Sequence, residues 1–460
     1  MSIDLFIIAL FFLVVFLIGI LDRKKVTIDD YWVNSRRTNK WVLVATIAST
    51  FLGVGSLLSN AGIAYSGGGL AIIFIMASFF IYFLVFARFF APKIKEFGDA
   101  HNAYTVLDYL EHRYDKKTRV AGLIVNLIAY GLWLALQILG FGIFVSAVGG
   151  LDPALATLIG GAIVVAYTTI GGLRADIRTD VFQFLVMLFL ILIFLPVVIQ
   201  ENGGLAAITA LPQNFLAGGQ FAPWYVYILA FIFLGATNLV TSDTWQRAYA
   251  GDTPKNVRWA MSVAGIIVFL FLIAGSLFGI YGKIALPADI SANNVIPELL
   301  KLYLSPALFG LVLAGFFAAI MSSADTILLI LSMTLIHDLW QKTLGKPIAP
   351  EKLLTVSRWT TLILGALAVA IAVIVFNVIH LAIEAVSFVA ALLPAVVFGF
   401  YWKKATAAAA FWSIILGFLT ILGFSFVDPV QAFIPGMIVA FFAFFVINYL
   451  VNRSRYGTTS

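Results

Sequence analysis

The sequence predicts an all-α integral membrane protein of about thirteen transmembrane helices, and three observations lead to that prediction. Apolar residues make up 62% of the 460 residues, charged residues make up only 11%, and the mean hydropathy is +1.05. Apolar stretches of about twenty residues, the length that a helix needs to cross the hydrocarbon core, recur along the whole chain. Lys and Arg collect in alternate connecting segments. This composition excludes an ordinary soluble protein.

The apolar stretches define the predicted spans. The first follows Met1 and Ser2 without the basic segment of a signal peptide, so we expect a retained helix rather than a cleaved leader. The spans cover, to within a few residues, 3–21, 41–65, 69–95, 119–148, 152–171, 178–200, 223–245, 257–282, 306–338, 353–376, 379–402, 405–426 and 431–451.

The positive charges predict the orientation in the membrane. If the N-terminus lies outside, every Lys and Arg except Lys283 and Lys301 falls on the cytoplasmic side, where connecting segments retain positive charge. An odd number of spans then leaves the C-terminus inside. The net charge of +6 is therefore a topology signal of a multi-pass protein of the cell inner membrane, and no nucleic-acid partner is needed to explain it.

Residues for catalysis are scarce. Cysteine is absent, and His101, His112, His337 and His380 are scattered without the spacing of metal ligands. No nucleophile and base are paired in the sequence, so we expect no enzyme. No connecting segment exceeds roughly thirty residues, which leaves function to the membrane-embedded part.

The second span is rich in small and polar residues, among them Ser49, Gly53, Ser56 and Asn60. Such a helix is either broken or closely packed against its neighbours. A break would expose backbone carbonyls that line a cavity and coordinate a cation. Small residues that only permit close helix packing are the alternative.

The ninth span carries Ala319, Ser322, Ser323, Asp325 and Thr326 on roughly one side of a helix. Carbonyl, hydroxyl and carboxylate oxygens are hard donors that suit alkali cations. The serines could instead bond the carbonyl of the preceding turn. An aspartate in the same turn favours a cation site.

The segment 171–183 joins the fifth and sixth spans and contains Asp180 just inside the start of a helix. An acidic residue is favoured at that position by the helix dipole. Alternatively, the Asp180 carboxylate reaches a cation bound between helices.

The seventh span ends in a polar run that includes Asn238, Thr241 and Asp243, at the depth where a broken helix would bind a solute. Asp243 could equally pair with Arg247, one turn later. Weaker candidates are Trp133 and Gln137 in the fourth span, where Gln137 could simply bond a neighbouring helix, and Glu384 and Ser387 in the eleventh.

Four segments resemble the sodium:solute symporter family, whose members carry proline, sugars, sialic acid, pantothenate and other organic solutes. They are Gly-Ile-Ala-Tyr-Ser-Gly at 62–67, Gly-Gly-Leu-Arg-Ala with Thr-Asp-Val-Phe-Gln at 171–183, Ala-Ala-Ile-Met-Ser-Ser-Ala-Asp at 318–325, and Leu-Leu-Pro-Ala with Phe-Tyr-Trp-Lys-Lys-Ala-Thr at 392–406.

The resemblance implies a single membrane transport domain that spans 1–460. A leading helix at 3–21 would precede two five-helix inverted repeats, 41–200 and 223–402, and two trailing helices would follow at 405–451. The first helix of each repeat would be discontinuous, in agreement with the composition of the second and seventh spans.

The resemblance also implies ion and solute sites. A common sodium site would take carbonyl oxygens of Ser49, Leu52 and Ala319 and hydroxyls of Ser322 and Ser323. A further site would take Asp180, Ser322, Asp325 and Thr326. Asp325 departs from members that carry a hydroxyl there, and Phe51 departs from members with a polar side chain. We expect the solute to contact Phe51, Gly53, Ser56, Trp133, Gln137, Asn238, Thr241 and Asp243.

The resulting hypothesis is a monomeric secondary active transporter that imports a small organic solute together with sodium ions across the lipid bilayer. Proton coupling through Asp325 or Asp180 is one alternative, because a buried carboxylate with a raised pKa can carry the proton. A membrane sensor that binds a solute without moving it is another.

Overall fold

The computed structural model describes residues 3–21, 28–171 and 173–456. Gly172, and the side chains of 173–176 within the sequence signature at 171–183, lie outside the described residues, as do Arg23, Lys24 and Lys25 of the first connecting segment. The described ranges contain helices and no β-strand, with one isolated bridge between Thr38 and Gly251.

Fifteen helical segments, numbered here in chain order, form the bundle. They are α1 Ile3–Leu21, α2 Lys40–Phe51, α3 Gly55–Gly68, α4 Ala71–His101, α5 Lys116–Gly149, α6 Pro153–Gly171, α7 Ile177–Glu201, α8 Trp224–Phe233, α9 Ser242–Ala250, α10 Pro254–Ala285, α11 Pro306–Thr343, α12 Pro350–Ile374, α13 Val378–Tyr401, α14 Ala407–Ser425 and α15 Phe433–Tyr456. Short helices in the connections include Ile28–Val33, Val106–Arg113 and Val295–Tyr303.

These helices lie at every predicted span. Within the described ranges, 10 helices are long and apolar enough to cross a membrane when α8 and α9 are taken together as Trp224–Ala250, and the bent pair α2–α3 raises the number to 11. Two shorter apolar helices, Ile3–Ile18 and Pro153–Ala166, lie at the first and fifth predicted spans. Every residue of α11 from Val312 to Met333 is buried, so this helix is the centre of the bundle.

The second predicted span is broken. Helix α2 ends at Phe51, and α3 resumes at Gly55 after a bend of 57°. The backbone N–H of Val54, which the break leaves without a helical partner, donates to Oε1 of Gln137 at 3.0 Å. A polar backbone group inside an apolar bundle is therefore satisfied by a side chain of another helix, as the bilayer requires.

The seventh predicted span is also broken. After α8, a short 3₁₀ segment, Gly235–Leu239, leads to extended backbone at Thr241, and α9 begins at Ser242. Side chains again satisfy the freed groups. The indole N–H of Trp245 donates to the carbonyl of Leu239 at 2.9 Å, and the N–H of Asp243 donates to the Tyr130 hydroxyl at 3.0 Å.

One face of α5 supports both breaks. Asn126, Tyr130 and Gln137 follow each other at intervals of four and seven residues, which at 3.6 residues per turn places them on one stripe of the helix. Oδ1 of Asn126 accepts from the Ser242 hydroxyl at 2.7 Å, so its contact is with α9, as is that of Tyr130. Gln137 contacts the α2–α3 break.

Three basic residues predicted as charges of the connecting segments are buried in the bundle. Lys95, Arg119 and Arg247 are 1%, 0% and 0% exposed. Lys95 pairs with Asp99 at 2.5 Å, and Arg119 lies 3.3 Å from Glu111. Because a buried cation requires an acidic or hydroxyl partner, packing fixes the positions of these residues, and they carry less topological information than free loop charges.

Gly53 tests how tightly the first break is packed. A Cβ at this position would lie 2.6 Å from both Oε1 of Gln137 and Oγ of Ser323. We therefore expect Gly53→Ala to lower the unfolding free energy of the purified protein by about 1–3 kcal/mol, measured as a lower melting temperature in detergent. Gly55→Ala is the matched control, because its Cβ would meet only Leu136 at 3.6 Å. Equal melting temperatures for the two variants would contradict this packing.

Candidate functional site

A cavity of about 230 Å³ lies between the two broken helices. It is bounded by the α2–α3 break, one face of α5 and the segment between α8 and α9, with further walls from α4, α10 and α13. All eight residues predicted to contact a solute line it, namely Phe51, Gly53, Ser56, Trp133, Gln137, Asn238, Thr241 and Asp243.

Several polar side chains of the cavity are bonded to its own walls. The Ser56 hydroxyl donates to the carbonyl of Gly53 at 2.9 Å, and the amide nitrogen of Asn238 donates to the carbonyl of Phe79 at 2.9 Å. Gln137 uses Oε1 to accept from Val54. The alternative that Gln137 bonds a neighbouring helix is thus confirmed by its geometry, and the bond is formed at the break.

Aromatic rings form much of the remaining wall. Phe51 lies edge-to-face against Phe83, with ring centroids 5.0 Å apart, and Trp133 lies edge-to-face against Tyr130 at 5.0 Å. The apolar side chain at position 51, which the sequence marked as a departure from the family's pattern, is therefore one of the aromatic rings of the cavity wall.

Asp243 is held by Tyr130 and not by Arg247. The Tyr130 hydroxyl donates to Oδ1 of Asp243 in a short hydrogen bond and accepts from the backbone N–H of the same residue. The predicted alternative of an ion pair one turn apart is therefore wrong as the main contact of Asp243. Tyr130 was missed from the sequence, although it lies on the same helical stripe as Gln137.

The predicted cation ligands are all buried and lie where α2, α7 and α11 meet. The Ser322 hydroxyl donates to Oδ1 of Asp180 at 2.5 Å, and the Ser323 hydroxyl donates to the carbonyl of Thr50 at 2.8 Å. Thr46 donates to Oδ2 of Asp180 in a short bond. The Ser323 contact joins α11 to the last turn of α2, directly before the break, and Asp180 of α7 links Ser322 of α11 to Thr46 of α2.

Arg247 enters the same cluster, which sequence reasoning did not predict. Its Nη2 lies 3.2 Å from Oδ2 of Asp180 and donates to the hydroxyls of Thr326 at 2.6 Å and Thr50 at 2.9 Å. Asp325, predicted to share a cation with Asp180, accepts a short hydrogen bond from Thr168 of α6. A guanidinium thus bridges Asp180 and Thr326, two of the predicted ligands of the further cation site.

The histidines are less scattered than their spacing suggests. The rings of His101 and His112 lie 4.2 Å apart, and His337 lies with Asp108 and Asp338 in a buried group whose ligand atoms are within 4.8 Å of one another. Sequence distance hid the contact of His337 in α11 with Asp108, which is 229 positions away in the helix Val106–Arg113.

Asp108 of this group is fully engaged in holding two segments together. His337 Nε2 lies 3.2 Å away and Lys342 Nζ 2.5 Å away, and the N–H of Tyr104 donates to the carboxylate at 2.7 Å. Burial alone would raise the pKa of Asp108, but the hydrogen bond from His337 and the charge of Lys342 hold it below its ordinary value. The group joins the helix Val106–Arg113 to the end of α11.

A sequence model of the sodium:solute symporter family matches residues 31–417. The chain belongs to the sodium:solute symporter family. Membership supports sodium-coupled symport as the activity and identifies a multi-pass membrane transporter, not an enzyme.

Individual members of the sodium:solute symporter family agree with that assignment. A sodium/pantothenate symporter of Haemophilus influenzae is 27% identical over 449 residues, which cover 93% of this chain and 91% of the relative. An osmoregulated proline transporter of Bacillus subtilis is 23% identical over 496 residues, which cover 98% of this chain and 96% of the relative. Among solved structures, a Na⁺-coupled sialic acid symporter aligns with a TM-score of 0.81 at 19% identity over 98% of both chains. That likeness establishes the shared fold.

The Arg247–Asp180 ion pair is testable through stability. Both side chains are 0% exposed, so Arg247→Met removes a cation from beside a buried carboxylate and should cost about 3–5 kcal/mol of unfolding free energy. Adding Asp180→Asn should restore part of that loss. The matched control is Lys301→Met, which breaks the half-exposed Lys301–Glu298 pair and should change the melting temperature little. Similar shifts for Arg247→Met and Lys301→Met would contradict a structural role for the buried pair.

Proposed function

We propose that the protein is a symporter of the cell inner membrane that imports a small organic solute with sodium by alternating access. The observation that carries this proposal is the position of one cavity between two broken helices, directly beside a cluster of hydroxyl, carbonyl and carboxylate oxygens. Broken helices beside a midplane cavity are a recurring solution for binding a solute and an ion in one transporter.

The proposed architecture has about thirteen spans, with the N-terminus outside and the C-terminus inside. It has a leading helix at 3–21, inverted repeats at 41–200 and 223–402, and trailing helices at 405–451. Support comes from the position of the breaks, because each interrupts the first helix of a proposed repeat. We further propose that one copy of the chain is sufficient for transport.

The proposed common sodium site consists of the carbonyls of Ser49, Leu52 and Ala319 with the hydroxyls of Ser322 and Ser323. These residues are between 0% and 2% exposed, and hard oxygen donors in a buried setting suit an alkali cation. In the structure the Ser323 hydroxyl bonds the Thr50 carbonyl, so α11 already faces the end of α2. Sodium there would draw α2 and α11 together and favour the outward-open, solute-ready state.

Coupling to sodium supplies enough energy for a scavenging importer. A membrane potential of 100 mV contributes about 2.3 kcal/mol per charge, and a tenfold sodium gradient adds about 1.4 kcal/mol. One sodium ion per cycle would thus support about 500-fold accumulation of a neutral solute. The solute itself is proposed to occupy the cavity lined by the eight residues given above.

A further cation site at Asp180, Ser322, Asp325 and Thr326 would have to accommodate Arg247. The guanidinium now bonds Asp180 and Thr326, so a second sodium would compete with it or would require it to move. Buried carboxylates could instead carry a proton, which is the alternative coupling mechanism.

Removing both serine hydroxyls tests the common site. Ser322→Ala with Ser323→Ala deletes two of the proposed ligands and should raise the sodium concentration for half-maximal uptake at least tenfold, about 1.4 kcal/mol, with near-normal expression. Uptake of a transported solute into proteoliposomes would measure it. Ser332→Ala is the matched control, because this buried serine of α11 bonds the Ser357 carbonyl and should leave sodium dependence unchanged. An unaltered sodium requirement in the double variant would rule out the proposed ligands.

Asp180→Asn and Asp325→Asn test the further site. Asparagine preserves size and an acceptor oxygen but removes the charge, so a ligand of a second sodium should lose affinity and the Hill coefficient for sodium should fall towards one. If both acids hold the same ion, the double variant should be little worse than the poorer single.

The control for these variants is Asp115→Asn, because Asp115 caps the start of α5 by accepting from the N–H of Thr118 at 2.7 Å. It should cost about 1 kcal/mol or less of stability and leave the sodium curve intact. A pH profile that shifts in the Asp180 or Asp325 variants without a change in sodium dependence would favour proton coupling. If Asp180→Asn and Asp325→Asn both keep the wild-type sodium affinity, cooperativity and pH profile, the proposal of a further cation site is wrong.

A further inference from the structure

The only charged group in the described cavity wall is negative. Asp243 is the only charged side chain among the described residues that line the cavity, and no described Lys, Arg or His reaches it. Arg247 lies one turn beyond Asp243 on the same helix, but its Nη2 is engaged by Asp180, Thr326 and Thr50. An anionic solute would thus meet a carboxylate with no described cationic side chain in the wall to offset it.

Acceptor oxygens predominate near Asp243. The Tyr130 hydroxyl donates its proton to Asp243 and accepts from the Asp243 backbone N–H. The Asn238 amide donates one N–H to the carbonyl of Phe79 and keeps its oxygen and its second N–H available. The Asp243 carboxylate and the Asn238 oxygen are therefore acceptors at this end of the cavity, and a complementary solute presents donors to them.

The rest of the cavity matches an aromatic body. Phe51, Phe83 and Trp133 contribute rings to the wall, and the Trp133 ring lies edge-to-face beside Tyr130, the residue that holds Asp243. The cavity volume of about 230 Å³ is below the range of about 300–1,000 Å³ typical of drug-sized pockets, and it matches a solute of roughly one ring with a short side chain.

We propose that the solute is an arylalkyl monoamine, bound with its ammonium group on Asp243 and its ring among the phenylalanines. This inference rests on the proposed solute site and adds the substrate class and the residue that selects it. The ammonium would bring one positive charge to a buried carboxylate that Tyr130 already orients, and a charge-assisted hydrogen bond is a strong contact.

The test uses four probes that share a phenylethyl body: 2-phenylethylamine, 2-phenylethanol, 3-phenylpropanoate and phenylalanine. Binding is measured by melting-temperature shift and by titration calorimetry on the purified full-length protein, in sodium and in potassium chloride. Binding assays avoid the passive leak of amines across liposomes. We expect the amine to bind tightest, the alcohol about 10- to 100-fold more weakly, and the propanoate not detectably.

Asp243→Asn identifies the selecting residue. It should weaken amine binding by about 10- to 100-fold and leave alcohol binding nearly unchanged, so the preference for the amine disappears. Glu384→Gln is the matched control, because it removes a half-buried carboxylate of α13 that does not line the cavity, and it should preserve the preference. Retained alcohol binding shows that the Asp243 variant is folded.

Several results would overturn the proposal: tighter binding of the propanoate or phenylalanine than of the amine, no binding of any probe, or an amine preference that survives Asp243→Asn. Failure of sodium coupling gives a different pattern. Amine binding of equal strength in sodium and potassium would uphold the substrate class and contradict the coupling, whereas sodium-dependent binding of the propanoate would uphold the coupling and contradict the substrate class.

Discussion

Every backbone N–H and carbonyl inside the bilayer must find a partner within the protein, and this constraint governs the centre of the molecule. Two helices are interrupted there, and each interruption frees groups that water cannot reach. Gln137 takes the Val54 N–H, Tyr130 takes the Asp243 N–H, and Trp245 bonds the Leu239 carbonyl. The interruptions are stable because α5 and α9 supply these side chains at the required heights. The cavity lies between these two interruptions and depends on them for its walls.

The second requirement is that a charge buried in the bundle has a partner that stabilises it. Asp180 and Arg247 are both removed from solvent, and neither charge would be tolerated alone at that depth. Their contact ties α9 to α7, while the hydroxyls of Ser322 and Thr326 tie α11 to the same pair. The ion cluster and the cavity are thus adjacent parts of one polar core, connected through Thr50, whose hydroxyl accepts from Arg247 and whose carbonyl accepts from Ser323.

Much of this was predictable, for physical reasons. Span positions followed from hydropathy because a bilayer demands long apolar helices, and the crowding of small and polar residues around Gly53 and Asn238 marked both breaks. The side chains that pair with each other were not predictable from the sequence. Helical spacing offered Asp243 as the partner of Arg247, but the contact with Asp180 depends on how α7 packs against α9. Tyr130 was overlooked because a tyrosine in an apolar span gives no signal until its stripe on α5 is compared with Gln137. The contact of His337 with Asp108 escaped because the two residues are 229 positions apart in sequence.

The face of α5 that carries Tyr130 and Gln137 also fixes the distance between the two breaks. Tyr130 and Gln137 are separated by two turns of one rigid helix, and at 1.5 Å rise per residue their attachment points lie roughly 10 Å apart along its axis. The break at Val54 and the break at Asp243 are anchored to those two points. If the cavity holds the solute as proposed, a molecule much shorter than this distance would touch one break but not both, and a longer one would have to bend or displace an anchor. Selection by length would then follow from the rise of a single helix.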